Sequence, residues 1–139
     1  MAGTADRSSA RIDRSPETLL VALGDLLLIG LFVLVGELRH WGLEYLLANP
    51  MRLVGTATPF LLGWIAGSLI LGTYSRTARR TPKTATLYAA GTWLIAVVIG
   101  QTLRATSVFH GDFAISFALV SLAVGLVLLV PWRVLTTWL

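Results

Sequence analysis

LLVALGDLLLIGLFVLVG, Leu19 to Gly36, holds eighteen residues and one charge, Asp25, near its middle. An apolar run of that length is a transmembrane helix signal, because about 20 residues at 1.5 Å each cross the hydrocarbon of a bilayer. Helix is the only open-chain conformation available there, since every backbone N–H and C=O must be satisfied within the segment. The run exceeds the apolar core of about 7–15 residues found in secretory signals, carries an acid, and lacks a small-x-small cleavage site. It reads as a retained anchor.

Working outward, Ser15-Pro16-Glu17-Thr18 opens the helix. Ser15 is a capping residue, Pro16 supplies a preset φ at the first helical position, and Glu17 suits the positive end of the helix dipole. Residues 1–14 are small, polar and basic, and are expected to form a disordered cytoplasmic tail ahead of one transmembrane domain over 15–139. Three more apolar stretches follow. The pattern predicts helices over about 16–38, 53–74, 82–104 and 113–135, with Thr81-Pro82 starting the third and Gly111-Asp112 turning the chain into the fourth. The fold class is all-α, a four-helix transmembrane bundle. The openings and closings of the first and third spans resemble each other, as two tandem helical hairpins would.

Composition agrees. The chain is 55% hydrophobic and 13% charged, its mean hydropathy is +0.77, and soluble domains carry about 25% charged residues. A chain this short cannot bury so much apolar surface in a single water-soluble core. There is no cysteine, so disulfides, thiolate metal sites and cysteine catalysis are excluded. The net charge of +4 does not point to nucleic acid, because the basic residues gather where headgroups and topology account for them.

Orientation follows from those residues. Arg7, Arg11 and Arg14, then Arg76, Arg79, Arg80 and Lys83, then Arg133 make eight on one side; Arg39, Arg52 and Arg104 make three on the other. The positive-inside rule places both termini and the turn between the second and third spans in the cytoplasm, with the plasma membrane as the expected location. An even number of spans requires termini on one side, which the charges give independently. Tyr74, Tyr88, Trp132 and Trp138 fall near the inner interface, and Trp41 and Tyr45 near the outer one. The first outer loop, with Trp41, Leu43, Tyr45, Leu46 and Leu47 among Glu44 and His40, is expected to form an amphipathic segment at the interface that Asn49-Pro50 ends.

Asp25 is the sharpest chemical signal. A carboxylate at mid-membrane costs at least about 2.5–3.5 kcal/mol on insertion scales, so it must face the bundle or be protonated. Depth along the spans puts Ser68, Thr92 and Ser121 near its level, where their hydroxyls are expected to bond it. The functional reading is a proton or cation site; the structural reading is a hydrogen-bonded strut worth about 1 kcal/mol. A second polar group, Glu37, Arg39, His40, Gln101, Arg104 and Asp112, together with His110, lies near the outer ends. It reads either as a polar vestibule or as interfacial charges that satisfy one another. Glu37-x-x-His40 has helical ligand spacing, but a di-metal bundle needs two such motifs, so no metal and no cofactor is expected. Gly63-x-x-x-Gly67 and Ser121-x-x-x-Gly125 have the small-residue spacing that lets helices approach closely. Pro59 and Pro131 fall inside the second and fourth spans. No Walker loop, dinucleotide fingerprint, nucleophile elbow or HExxH motif is present.

Asp25, Gly36-Glu37-Leu38-Arg39-His40, Thr58-Pro59-Phe60-Leu61-Leu62-Gly63-Trp64, Trp93, Gly100, Leu103-Arg104, Ser116-Phe117 and Trp132-Arg133, in that order, resemble domain of unknown function 3054. The family is one of small four-helix prokaryotic membrane proteins, with haloarchaeal and actinobacterial members. The resemblance covers roughly residues 18–135. It implies the fold and a membrane location, and no activity; Asp25, Arg39, His40 and Arg104 occupy its polar positions.

Three classes of function stay open. One is a small oligomeric transporter or channel subunit, with Asp25 as an intramembrane proton or cation site. A second is a structural or accessory subunit packed on a larger membrane partner. A third is an enzyme acting on lipid, whose mark would be a lateral cleft ending at the outer polar group. A non-enzymatic role is the expectation. The expected partners are the lipid bilayer, a second copy or a membrane protein.

Overall fold

A computed structural model describes residues 12–106 and 115–139. Five α-helices follow in order: α1 Pro16–Trp41, α2 Leu43–Ala48, α3 Met51–Leu71, α4 Pro82–Arg104 and α5 Ile115–Thr136, with a 3-10 turn at Thr77–Arg79. α1, α3, α4 and α5 are each long and apolar enough to cross a membrane. Among the described residues the only β pairing is an isolated bridge between Ile12 and Tyr74. The chain is an all-α four-helix bundle.

The helix starts work as the sequence implies. The Ser15 hydroxyl accepts the Thr18 N–H at 3.3 Å with Pro16 behind it. Thr81 and Thr84 form a reciprocal capping box, Thr84 N–H to Thr81 Oγ1 at 3.1 Å and Thr81 N–H to Thr84 Oγ1 at 3.0 Å. The ends differ from expectation at two glycines. α1 continues to Trp41, where Gly42 at φ 87° stops it. α3 stops at Leu71 because Gly72 takes a left-handed φ of 76° and returns its N–H to the Ser68 carbonyl, a common helix terminator. Tyr74 therefore leaves the helix that was expected to contain it. α2 forms between the first two long helices, where an amphipathic segment was expected; Leu43 and Leu47 are exposed while Leu46 is buried. The turn at Gly111-Asp112 and a helix start at Phe113 lie outside the described residues.

The long helices form a ring in the order α1, α3, α4, α5, with α4 packed most extensively, against α3 and α5. Phe32, Phe60, Trp64, Trp93 and Leu129 fill its centre. Phe32 meets Phe60 and Trp93 edge-on at ring-centroid distances of 5.4 and 5.6 Å. Gly63 and Gly67 face α4: a Cβ on Gly63 would stand 2.6 Å from the Ala96 carbonyl oxygen, and one on Gly67 3.2 Å from that of Thr92. Gly125 lies under the Trp93 indole, where a Cβ would be 2.0 Å from the ring, and that indole donates to the Ser121 carbonyl at 2.9 Å. The outward faces are apolar. Leu27, Ile70, Leu87 and Val127 are each more than half exposed, a perimeter that lipid covers and water does not tolerate.

Candidate functional site

Two polar sites occupy opposite ends of the bundle. The first is centred on Asp25, fully buried on α1. Arg133, fully buried on α5, grips it with two hydrogen bonds, Nε to Oδ1 at 3.0 Å and Nη2 to Oδ2 at 2.8 Å. The third guanidinium nitrogen, Nη1, donates to the Thr73 carbonyl at 3.0 Å. The Tyr74 hydroxyl donates to Asp25 Oδ2 at 2.6 Å and itself accepts the Trp64 indole N–H at 2.8 Å. The guanidinium also sits 4.9 Å from the Tyr74 ring centroid. A planar fork on a carboxylate is the strongest geometry an ion pair offers, and α1, α5 and the turn after α3 all meet in it.

This revises the expected surroundings of Asp25. Ser68, Thr92 and Ser121 do not bond its carboxylate. The Thr92 hydroxyl pairs with that of Thr73 and donates to the Tyr88 carbonyl, the Ser121 hydroxyl donates to the Phe117 carbonyl, and Ser68 Oγ has no hydrogen-bond partner among the described residues. A guanidinium outcompetes neutral hydroxyls for a buried carboxylate. Arg133, counted in the sequence only as a topological charge, reaches back from near the end of α5 to do so. Trp132, expected at the interface, turns inward as well. Its indole seats over Gly24, where a Cβ would stand 2.1 Å away, and donates to the Val21 carbonyl at 3.4 Å.

Beside this lock, Ile12, Asp13 and Arg14, assigned by sequence to the tail, fall within the described structure. The Asp13 N–H bonds the Tyr74 carbonyl at 2.8 Å. Its carboxylate accepts from Ser15, Thr18, Arg76 and Arg79 at 2.9 to 3.2 Å. Burial pushes the Asp13 carboxyl up, but the hydrogen bonds from Ser15, Arg76 and Thr18 and the Arg76 charge outweigh it, and its pKa lies below the ordinary value.

The second site is a cavity of about 190 Å³ at the other end, enclosed by α1, the start of α3, the end of α4 and α5. Phe32, Val33, Phe117 and Val120 give it an apolar wall, and Val120 continues onto the lipid-facing perimeter, 60% exposed. Glu37, His40, Trp41, Arg52, Thr56 and Arg104 form the polar part. Glu37 is the buried one. Its Oε1 accepts the Thr56 hydroxyl, while Oε2 is buried and accepts no hydrogen bond among the described residues. Oε2 meets Arg52 Nε only at 3.6 Å, beyond good hydrogen-bond reach. The Arg52 guanidinium lies over the Trp41 ring, 4.4 Å from its centroid, and Trp41 stacks on Tyr45 at 4.8 Å. Arg104 lies over the Phe117 ring at 4.5 Å.

Of the outer residues singled out by sequence, Glu37, His40 and Arg104 thus share one cavity. Arg39 is exposed away from it, Gln101 is buried with neither carboxamide atom bonded among the described residues, and His110 and Asp112 lie outside the described residues. Arg52 and Trp41, which sequence reading treated as a topological charge and an interface aromatic, belong to the cavity.

Fold and sites together define a multi-pass membrane protein with a closed ion-pair lock at one end and an open amphipathic cavity at the other. Its sequence matches the family described as Protein of unknown function (DUF3054) over residues 22–136, and the chain belongs to that family. No curated protein and no solved structure matches it.

Proposed function

We propose that this chain is an intramembrane binding protein for an amphiphile, which it holds in the cavity between α1 and α5. The observation that carries the reading is the wall itself: one continuous surface runs from lipid-facing Val120 over Phe117 and Val33 to the buried Glu37 carboxylate. Apolar walls with a few convergent polar groups are the usual form of ligand sites. A volume of about 190 Å³ is small beside the roughly 300–1,000 Å³ of usual ligand clefts, so it takes only part of an amphiphile, with the remaining chain along the perimeter. The Asp25 lock favours a structural role for that carboxylate over a titrating one, since both oxygens are committed to Arg133. Any carriage of ligand by an oligomer is accordingly assigned to the cavity. The Ser121 hydroxyl, at the cavity wall, is spent on its own helix, which supports binding over catalysis. With Arg133 set aside as buried in the ion pair, the remaining seven-to-three distribution of Lys and Arg supports placing both termini and the Thr77–Arg79 turn in the cytoplasm, with the cavity at the outer face of the cell membrane.

The test is Gly36→Leu. Gly36 lines the cavity, and a Cβ there meets nothing within 4 Å, so the first carbon of the new side chain enters free space and the rest occupies the site. Native mass spectrometry of the purified protein should show copurified amphiphile on the wild type and its loss from the variant. Equal retention by both would overturn the assignment.

A further inference from the structure

Which headgroup fits is written in the side chains at the mouth of the cavity. Among the described residues, Glu37 is the one acidic residue lining it. Its side chain is only 9% exposed, and its Oε2 accepts no hydrogen bond among the described residues. A buried carboxylate oxygen left without a donor is costly, and it marks a place where a donor or cation belongs. The neighbouring Trp41 ring supplies the other half of a cation receptor, an aromatic face. The position between them is already tenanted. The Arg52 guanidinium rests on Trp41 at 4.4 Å and stands 3.6 Å from Glu37 Oε2, yet its side chain is 42% exposed. A half-solvated arginine that leans on a carboxylate without bonding it is an easily displaced tenant.

Resting on the amphiphile-binding reading, we infer that the ligand carries an amine headgroup, whose ammonium takes the place of Arg52 between Glu37 Oε2 and the Trp41 ring. Arg52 then swings into solvent. A primary ammonium donates to Oε2 directly, and a quaternary one is held by the ring and the charge. The alkyl part lies on Val33, Phe117 and Val120. This chemistry has two sources, the headgroup of an amine phospholipid or a single-chain cationic amphiphile. Arg52 and Arg104 on the same lining would attract an anionic headgroup, so the amine assignment rests on the buried, unbonded Glu37 Oε2 beside the Trp41 ring.

Native mass spectrometry of the full chain in a neutral detergent decides it, with three probes: phosphatidylethanolamine, phosphatidylglycerol of the same chains, and dodecyltrimethylammonium. The wild type should retain at least one of the two amine probes about tenfold more strongly than phosphatidylglycerol. Glu37→Gln should bring that preference down to parity. Arg52→Ala should strengthen amine retention several-fold, because the tenant is gone, whereas a purely structural Glu37–Arg52 contact would leave retention unmoved. Preference for phosphatidylethanolamine identifies a lipid headgroup as the source, and preference for the alkylammonium alone identifies the single-chain amphiphile. Equal or stronger retention of phosphatidylglycerol, or an amine preference that survives Glu37→Gln, overturns the amine assignment. Gly36→Leu separates the two levels. If it abolishes retention of every probe while no amine preference exists, the cavity binds amphiphiles and only the headgroup inference falls. If it changes nothing for any probe, the amphiphile reading falls with it.

Discussion

The two ends of this bundle treat a buried carboxylate in opposite ways. Asp25 has both oxygens bonded, three donors in good geometry, and no exposed surface. Glu37 has one oxygen bonded to Thr56, the other with no hydrogen bond among the described residues, and an open cavity in front of it. Both are acids on the same helix, twelve residues apart. The difference lies in what faces them. At the Asp25 end, a tryptophan on a glycine closes α5 onto α1; at the Glu37 end, Gly36 faces empty space. A membrane bundle can tolerate a buried charge when packing is tight enough to complete its shell, and an incomplete shell in a loose region leaves room for a further donor.

The largest effect should come from breaking the closed end. Arg133→Leu leaves Asp25 buried without its cation, which costs about 3–5 kcal/mol for such pairs. The double variant Asp25→Leu, Arg133→Leu should recover most of that loss, because apolar replacement of a whole buried pair is often neutral or better. Unfolding of the three proteins in mild detergent measures this; a double variant as unstable as the single one would show that the lock does more than balance charge.

A smaller contrast uses two glycines. Gly24→Ala drives a methyl into the Trp132 ring, 2.1 Å away, and should cost about 1–3 kcal/mol as overpacking does. Gly36→Ala meets nothing and should be neutral or stabilising by about 0.5–1 kcal/mol, the usual gain on replacing a helical glycine. Equal destabilisation by both, read from thermal unfolding, would erase the distinction between a closed and an open end.

The mildest test is pH. Asp13 has a folded-state pKa below its ordinary value, so its contribution is fully present above the unfolded carboxyl pKa and is lost as the pH falls through the lower folded one. Docking of Ile12–Arg14 should therefore hold at neutral pH and release only below the usual carboxylate range. Exchange protection of the Asp13 amide, bonded to Tyr74, reports it. Asp13→Asn should lose protection at neutral pH.

The four spans were legible because hydrophobic length is a local property, and the helix over 82–104 agrees with the structure to the residue. Two of the misplaced ends turn on glycine: Gly42 and Gly72 act through positive φ, which apolar length does not reveal. Asp25 stood out in the sequence as an isolated acid, but its partner did not. Arg133 sits near the end of an expected span, where arginines ordinarily snorkel outward, and depth counting treats a side chain as level with its own Cα. The signal available was stoichiometric: one acid inside the first apolar run, one basic residue inside the fourth span. The cavity was half legible. Glu37, His40 and Arg104 shared a depth, whereas Arg52 and Trp41 join it only through the pairing of α1 with the start of α3, which no single stretch encodes.

The lock has a consequence for biogenesis. Asp25 and Arg133 are 108 positions apart, and Arg133 lies in the fourth of the four spans. At about 5–20 residues per second, the acid spends about 5–20 s in or beside the translocation channel before its counter-charge leaves the ribosome. Until then the first span is the least comfortable of the four in lipid, despite being the most hydrophobic. A nascent chain truncated before α5 holds Asp25 with the Tyr74 hydroxyl but without its cation, a costly state in lipid, so arrival of α5 both completes the bundle and neutralises that charge.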